Sequence, residues 1–217
     1  MKSSKVLAVV AALSALAASP VAAQIGFSPH VGTLGLGADI SVGLLPVLGI
    51  RAGGNLQPWK PILEFDDVEY TIDLASPTWF GVLDLYIAGP LRLSGGAVGF
   101  TNDTKIDARV TQSVDIGNTT YTPEEIGTIG GVFEANRVAP YAGIGFGKTP
   151  RSSGVGFSMD LGVAFHGEPT VRLTASGPLA SSPEFQSNLT REEANVQDDA
   201  KSFRVYPVVA LGFVVAF

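Results

Sequence analysis

Nine charged residues stand out because each lies on the polar side of a stretch in which apolar and polar residues alternate. They are Asp39, Arg51, Glu69, Asp73, Asp84, Arg92, Asp160, Arg172 and Arg204. Carboxylates and guanidiniums form strong paired hydrogen bonds when both are removed from water. If the alternating stretches form one sheet with an apolar outer face, these charges should meet inside it. That arrangement predicts a salt-bridged plug that only holds the protein together, or a narrow path or pocket for a zwitterionic or cationic solute.

The chain has few of the residues that serve catalysis or metal binding. The chain has two histidines, His30 and His166, and no cysteine. A hydrolytic triad or a metal cluster is difficult to build from so few groups. Barrel enzymes that remove acyl chains from lipids use a His and a Ser on the lipid-facing wall, whereas His166 continues the polar row of Ser158 and Asp160. We therefore expect no catalytic residues, no metal and no cofactor.

The segment AGIGFGKT, residues 142–149, satisfies a loose phosphate-loop pattern. Such a loop requires a helix that begins at its Lys-Thr pair, so that backbone amides face the phosphates. Pro150 follows Thr149 directly and disfavours a helical conformation there. The glycines also alternate with apolar residues, so a glycine-rich strand and turn is favoured over a nucleotide site.

The first 23 residues have the order of a secretory signal peptide. Lys2 and Lys5 precede an apolar run at residues 6–18, and small residues follow up to Ala23. The run is too short for a membrane-spanning helix, which needs about 20 residues. We expect residues 1–23 to be a signal peptide and residues 24–217 to be one mature domain.

The composition of the mature chain argues against some classes of protein. Without the two lysines of the signal peptide it has 12 basic and 20 acidic residues, a net charge of −8. Proteins that bind nucleic acid present basic faces, so nucleic acid is not expected as a partner. The chain also has 26 glycines, only 16% charged residues and no mature apolar run of helix-spanning length. This combination fits a transmembrane β-barrel.

Period-two alternation recurs along the mature chain. In the first example Leu34, Leu36 and Ile40 share one face, while Asp39 lies on the other. Further segments lie at 48–55, 69–74, 78–87, 91–94, 142–147, 157–165, 171–173 and 205–217. About eight strand-sized segments predict an all-β fold, a closed antiparallel transmembrane barrel of about eight strands. The terminal aromatic residue, Phe217, is typical of barrels delivered to the outer-membrane assembly machinery and is predicted to be an assembly signal.

Two stretches do not alternate. Residues 102–137 form a long polar excursion, which we expect to be a loop with its own short hairpin. Residues 182–202 are expected to form one amphipathic helix before the last strand, because Ser182 can cap it and Pro183 suits its first turn. The apolar side of this helix would consist of Phe185, Leu189, Val196 and Ala200.

The C-terminal third resembles a known family. RVAPYAGIGFG, GVGFSMDLGVAFHGEPTVRLTASG, EEANVQDDAKSF and YPVVALGFVVAF are similar, in order, to segments of the CarO-type outer-membrane barrels, the ornithine-uptake porin group. LDLYIAGPLRLSGGAVGFTND is similar to their middle hairpin. The resemblance implies a monomeric, OmpA-like barrel of eight strands for which uptake of small amino acids has been proposed, and it assigns no binding residue. The last strand departs from the pattern by carrying small apolar residues on its inward face, which argues against a wide aqueous channel.

These observations predict an outer-membrane barrel of a small porin-like or structural type. It would pass small solutes such as amino acids weakly, or stabilise the envelope without passing anything. A lipid-modifying enzyme and a loop-mediated adhesion or recognition protein are the alternatives. The expected partners are outer-membrane lipids, the assembly machinery and small zwitterionic or cationic solutes.

Overall fold

The computed structural model of the protein describes residues 25–65, 68–148 and 153–217, so the predicted signal peptide lies outside the described residues. Eight antiparallel strands form a closed barrel, and each of them pairs with the barrel strand that follows it in sequence. In order around the barrel they are β1 (Ile25–Gly32), β2 (Gly35–Leu45), β3 (Leu48–Leu56), β6 (Thr78–Ala88), β7 (Leu91–Phe100), β12 (Val138–Phe146), β13 (Gly154–Ala164) and β15 (Tyr206–Ala216). Pairing of β1 with β15 closes the barrel. The predicted all-β closed barrel of eight strands is confirmed.

The membership of the barrel differs from the sequence-based prediction. The alternating segments 69–74 and 171–173 are not barrel strands, because they lie in a separate sheet. The barrel instead contains β1, which was not predicted. Pro29 interrupts its pattern, and proline is normally depleted inside strands. Phe27 and Val31 nevertheless alternate with polar neighbours, so the period-two signal is present on both sides of the proline.

The barrel strands have an apolar outer face and a mixed inner face. Ile40, Leu83 and Phe213 point outward and are 51–60% exposed, while Asp84 on the inner face is 2% exposed. Successive side chains of a strand point to opposite faces, so the alternation in sequence sorts these residues directly. A closed barrel with an apolar belt and inward charges has the polarity of a transmembrane barrel.

The long connections between barrel strands fold into a second body, which we call the loop subdomain. It contains the strands β4 (Ile62–Phe65), β5 (Val68–Asp73), β8 (Thr104–Val110), β9 (Val114–Ile116), β10 (Thr119–Tyr121), β11 (Thr128–Glu134) and β14 (Thr170–Ala175) and the helices α1 (Pro123–Ile126) and α2 (Pro183–Ala200). Five of the strands form one sheet in the order β14-β11-β8-β5-β4, and β9 and β10 form a hairpin. The hairpin expected within residues 102–137 is present as β9–β10. The rest of that stretch was wrongly predicted to be a loop, because β8 and β11 are strands of the sheet.

The loop subdomain has its own hydrophobic core, separate from the barrel. Phe185 and Leu189 of α2 pack with Ile126 and Tyr121, and the rings of Tyr121 and Phe185 meet edge to face at 5.1 Å. Asn188 donates a hydrogen bond of 2.8 Å to the Tyr121 hydroxyl, which satisfies both buried polar groups. The subdomain is therefore a packed unit at one end of the barrel.

The predicted helix before the last strand is confirmed as α2, which begins after Ser182 with Pro183 in its first turn. The Ser182 side chain makes no capping hydrogen bond, contrary to expectation. Among the described residues, no helix is long and apolar enough to cross a membrane.

Side chains of α2 complete the edge of β14. The Glu193 carboxylate accepts a hydrogen bond of 2.8 Å from the Leu173 backbone N–H, and the Gln197 amide oxygen accepts one of 2.8 Å from Val171. Gln197 also donates to the Pro169 carbonyl at 2.9 Å. An unpaired strand edge is a site of unwanted pairing, so this cover protects the sheet.

Candidate functional site

Five of the predicted charges meet inside the barrel and form a cluster that we call the plug. They are Asp39 on β2, Arg51 on β3, Asp84 on β6, Arg92 on β7 and Asp160 on β13, and each is between 2 and 8% exposed. Each lies at an inward position of its strand, between apolar residues that face outward. The plug therefore draws on five of the eight barrel strands.

Arg51 is the centre of the plug. Its guanidinium donates to the Asp84 carboxylate at 3.0 and 3.3 Å and to the Asp160 carboxylate at 2.9 and 3.0 Å. A third acid, Asp39, lies 4.0 Å away, and the Phe80 ring centroid lies 5.7 Å from the guanidinium carbon. One planar guanidinium thus forms forked pairs with two carboxylates, the geometry for which arginine is suited.

Arg92 binds the same acids from a neighbouring wall. It donates to both oxygens of Asp160 at 2.9 Å, and its Nε atom lies 3.7 Å from an oxygen of Asp84. The sequence predicts that Asp84 and Arg92 lie near one another across β6 and β7. The two side chains are near each other but are not directly opposite, because the register places Ser94 opposite Asp84. The Ser94 hydroxyl donates a hydrogen bond to Asp84, and Arg92 contacts Asp84 as an ion pair.

The glycine-rich segment that mimics a phosphate loop makes room for Arg92. A Cβ atom added at Gly145 would lie 2.6 Å from an Asp160 oxygen and 2.7 Å from Nε of Arg92, and one added at Gly147 would lie 2.6 Å from a terminal nitrogen of Arg92. Gly145 is part of β12, whose pairing with β13 and β7 is regular. The pattern therefore serves packing of the plug.

His30 also belongs to this cluster, and the sequence does not predict it because Pro29 interrupts the alternation of β1. The His30 ring lies 3.3 Å from the Asp39 carboxylate and 2.8 Å from the Asn55 side-chain oxygen. The other Asp39 oxygen is buried and has no hydrogen-bond partner in the part of the chain that the structure describes. The plug thus contains three carboxylates and two guanidiniums, with His30 beside the least satisfied acid.

The other four predicted lumen charges lie outside the barrel. Glu69, on β5, and Arg172, on β14, belong to the sheet of the loop subdomain, and Arg204 lies between α2 and β15. Asp73 forms an exposed ion pair of 2.7 Å with Lys60, and Arg172 lies 3.5 Å from Glu134. Arg204 lies 3.1 Å from Glu168. The expectation that these residues line the lumen is corrected: a water-exposed sheet with one buried face alternates in the same way as a barrel wall.

Phe217 follows the last residue of β15. Its side chain is 73% exposed, and its backbone N–H donates to the Ile25 carbonyl at 2.9 Å. The terminal aromatic ring therefore lies on the outer surface where the first and last strands meet.

An apolar layer lies between the plug and the loop subdomain. It consists of Val82, Val98, Ala139, Tyr141, Ala164 and Val208, all at most 8% exposed. A cavity of about 40 Å³ lies between the plug and this layer, with Asp39, Arg51 and Tyr141 among its walls. The volume suffices for a few water molecules. The lumen is therefore closed twice, once by charges and once by apolar side chains.

A larger cavity of about 530 Å³, which we call the vestibule, lies between the apolar layer and the loop subdomain. Phe100 and Tyr206 pack against the apolar layer and also line the vestibule, and their rings meet at 6.0 Å. His166 lines it as well, and burial lowers the pKa of this imidazole below its ordinary value.

The described residues hold no cluster of three or more ligand side chains suited to a metal ion.

The closed barrel, its apolar outer belt and its inward charges define a transmembrane β-barrel of the outer-membrane class. Within that class the chain has the CarO-type fold. It superimposes on Acinetobacter baumannii CarO2 with a TM-score of 0.64 and 22% identity over 90% of this chain and 99% of that chain. For A. baumannii CarO the TM-score is 0.63 and the identity 21%, over 88% of this chain and 97% of the other. No protein-family profile and no curated protein sequence matches the chain.

Proposed function

We propose that the protein is a structural, small porin-like barrel of the bacterial outer membrane, with a lumen closed at rest. The observation that carries this proposal is the double closure of the lumen. Arg51 joins three acids across the interior, and Tyr141 lies in an apolar layer above them. A water-filled pore needs a continuous polar path, and the apolar layer interrupts it.

The orientation follows from the lengths of the connections. One end of the barrel holds both described chain ends, the turns 46–47 and 89–90, and the adjoining ends of β12 and β13. The other end holds the turn 33–34, the adjoining ends of β3 and β6, and the long connections 101–137 and 165–205. Outer-membrane barrels have short periplasmic turns and longer extracellular loops. The loop subdomain is accordingly displayed outside the cell. Lipids would contact the apolar belt, and the assembly machinery would recognise β15 with the aromatic residue Phe217 that follows it.

Slow passage of a small cationic or zwitterionic solute is the second candidate. It is favoured by the inner cavity of about 40 Å³, whose walls include Asp39 and Asp160. Three acids face two arginines and the imidazole of His30, so with His30 neutral this region carries an excess of negative charge, which attracts cations. A solute would cross only when Arg51 exchanges partners and the apolar layer opens.

A role without catalysis is part of the proposal. His30 lies inside the barrel against Asp39, and His166 lines the vestibule, so neither is on the lipid-facing wall. A lipid-modifying site would need its nucleophile and base on that wall. Recognition of an extracellular partner is a further alternative, because the loop subdomain is a packed unit with its own core and could present a defined surface.

Single-channel recording of the refolded protein in planar bilayers tests the proposal. A structural barrel gives a flat current, and slow uptake gives no discrete steps but measurable flux of lysine or glycine into proteoliposomes. Stable open steps in the wild-type protein would overturn the closed-lumen proposal. Fractionation is the companion measurement: the protein should appear as a heat-modifiable band in the outer membrane, and a processed, soluble periplasmic form would contradict the location.

A further inference from the structure

The vestibule has the size and surface of a small-molecule site. Its volume of about 530 Å³ lies within the range of ligand pockets, which is roughly 300–1,000 Å³. Phe100 and Tyr206 form its floor, and Phe133 and Phe203 contribute aromatic walls from the loop subdomain and from the segment before β15. Mostly apolar walls with a few polar groups are the usual composition of such pockets.

Two polar atoms of the vestibule lack partners. Oε1 of Gln57 and Nδ1 of His166 are buried and make no hydrogen bond to any described residue, and both residues line the cavity. A buried polar group without a partner costs free energy, and a native structure seldom keeps two at one cavity without a reason. A ligand with N–H or O–H groups can donate one hydrogen bond to the Gln57 oxygen and a second to Nδ1 of His166 in the tautomer that leaves this nitrogen without hydrogen.

The charges around the vestibule select against anions. Asp103 and Asp199 line it, and no lysine or arginine does among the described residues. Asp103 is paired with Arg137 at 2.9 Å, whereas Asp199 forms no such salt bridge among the described residues. An anionic ligand would therefore enter an apolar cavity with no cation to receive it, which is unfavourable.

We propose that the vestibule binds a small molecule with an apolar, ring-sized body and a hydrogen-bond-donating group that carries no negative charge. Binding occurs above the apolar layer and does not require a solute to cross the lumen. The inference thus goes beyond the proposed function, and each can fail without the other.

Tryptamine and indole-3-acetate are matched probes, because both carry an indole body and they differ in the charge of the side chain. Titration of the protein in detergent, monitored by saturation-transfer NMR against protein-free micelles, should give saturable binding of tryptamine and at least tenfold weaker binding of indole-3-acetate. Gln57→Met and His166→Phe keep the size of each side chain and remove its hydrogen-bonding atoms. Each should weaken tryptamine binding about three- to tenfold.

Ala135→Trp fills the cavity from its wall and should abolish binding, while Gln112→Met, at an exposed position outside the vestibule, should leave it unchanged. Heat-modifiability on gels shows that each variant has folded. Absence of saturable tryptamine binding to the wild type, equal binding to Ala135→Trp, or equal binding of the two probes would overturn the proposal.

Discussion

Arg51 and Asp160 hydrogen-bond to each other from opposite walls of the barrel, at distances of 2.9 and 3.0 Å. Three strands separate β3 from β13 in either direction around the sheet, so the pair spans the full width of the lumen. Two side chains can bridge an eight-stranded barrel because its interior is only wide enough for side chains to fill. The pair therefore acts as a strut between strands that do not touch through their backbones.

The strut should contribute strongly to stability. Asp160→Asn removes the negative charge shared by Arg51 and Arg92, and breaking a buried pair costs about 3–5 kcal/mol of unfolding free energy. In a cycle with Arg51→Met, measured by urea unfolding in lipid, the double variant should lose less than the sum of the single variants. The exposed pair Arg137–Asp103 is the control, since Asp103→Asn should cost less than about 1 kcal/mol. Additive losses for Arg51 and Asp160 would show that the two charges do not couple.

Opening the lumen should require removal of both closures. Arg51→Ser with Asp160→Ser removes the strut but leaves Tyr141 and the rest of the apolar layer in place. Tyr141→Ala alone leaves the charges in place. In planar bilayers we expect discrete current steps only when all three substitutions are combined. Steps in the Arg51→Ser, Asp160→Ser variant would show that the apolar layer does not block ions.

The glycine at position 145 should be sensitive to a single methyl group. Gly145→Ala places a Cβ atom 2.6 Å from Asp160 and 2.7 Å from Arg92, so the plug must shift, with an expected loss of about 1–3 kcal/mol. Gly95→Ala is the matched control, because a Cβ atom there would have no atom of the described residues within 4 Å. The midpoint of urea unfolding compares the two variants. Equal midpoints would mean that the plug adapts without cost.

The side chains that cover β14 should protect its backbone from exchange. Glu193→Ala and Gln197→Ala remove the acceptors of the Leu173 and Val171 amides, each a hydrogen bond of about 1 kcal/mol. Hydrogen exchange should accelerate roughly fivefold at the affected amide in each variant, since that factor corresponds to about 1 kcal/mol. Glu192→Ala should leave both amides protected, because the Glu192 carboxylate accepts a hydrogen bond of 3.4 Å from the Asn195 side chain and none from β14 among the described residues. Unchanged exchange in the first two variants would assign the protection of β14 to packing alone.

Deletion of Phe217 should impair assembly in the outer membrane. The ring is 73% exposed at the end of β15, and its backbone N–H donates to Ile25 at 2.9 Å, so the deletion removes an aromatic side chain and a contact to β1. The fraction of heat-modifiable protein in the membrane measures the effect, and Phe217→Tyr should assemble normally. Normal assembly of the truncated chain would show that the terminal aromatic is incidental.

The class of fold could be predicted from the sequence because one physical constraint acts on every strand. A sheet in a membrane must close on itself and must present apolar side chains to lipid on alternate positions. Ile40 and Asp39 could be assigned to opposite faces from spacing alone. Alternation does not say which sheet a strand joins, so Glu69 and Arg172 were wrongly assigned to the lumen. That distinction depends on pairing between residues distant in the chain, which one sequence does not display.

The charged residues of the site could be predicted from the sequence, but most of the contacts between them could not. Arg51, Asp84 and Asp160 were recognised as charges that should pair, but their partners depend on strand register and on the width of the lumen. His30 was not predicted to belong to the site, because Pro29 interrupts the alternation that would indicate strand β1. The vestibule was not predicted at all, since it exists only between two bodies that pack against each other.

The meeting of β1 with β15 has a consequence for the order of events in folding. Every other pair of barrel strands joins strands that follow one another in the order of the barrel, but this seam joins its first strand to its last and can form only after both are in place. The Arg51–Asp160 strut has the same requirement, because the two side chains come within reach only when the sheet has curled into a ring. Closure of the seam and pairing of the interior charges are therefore one cooperative step, and a chain that stops before this step has two unpaired strand edges and unpaired ions together.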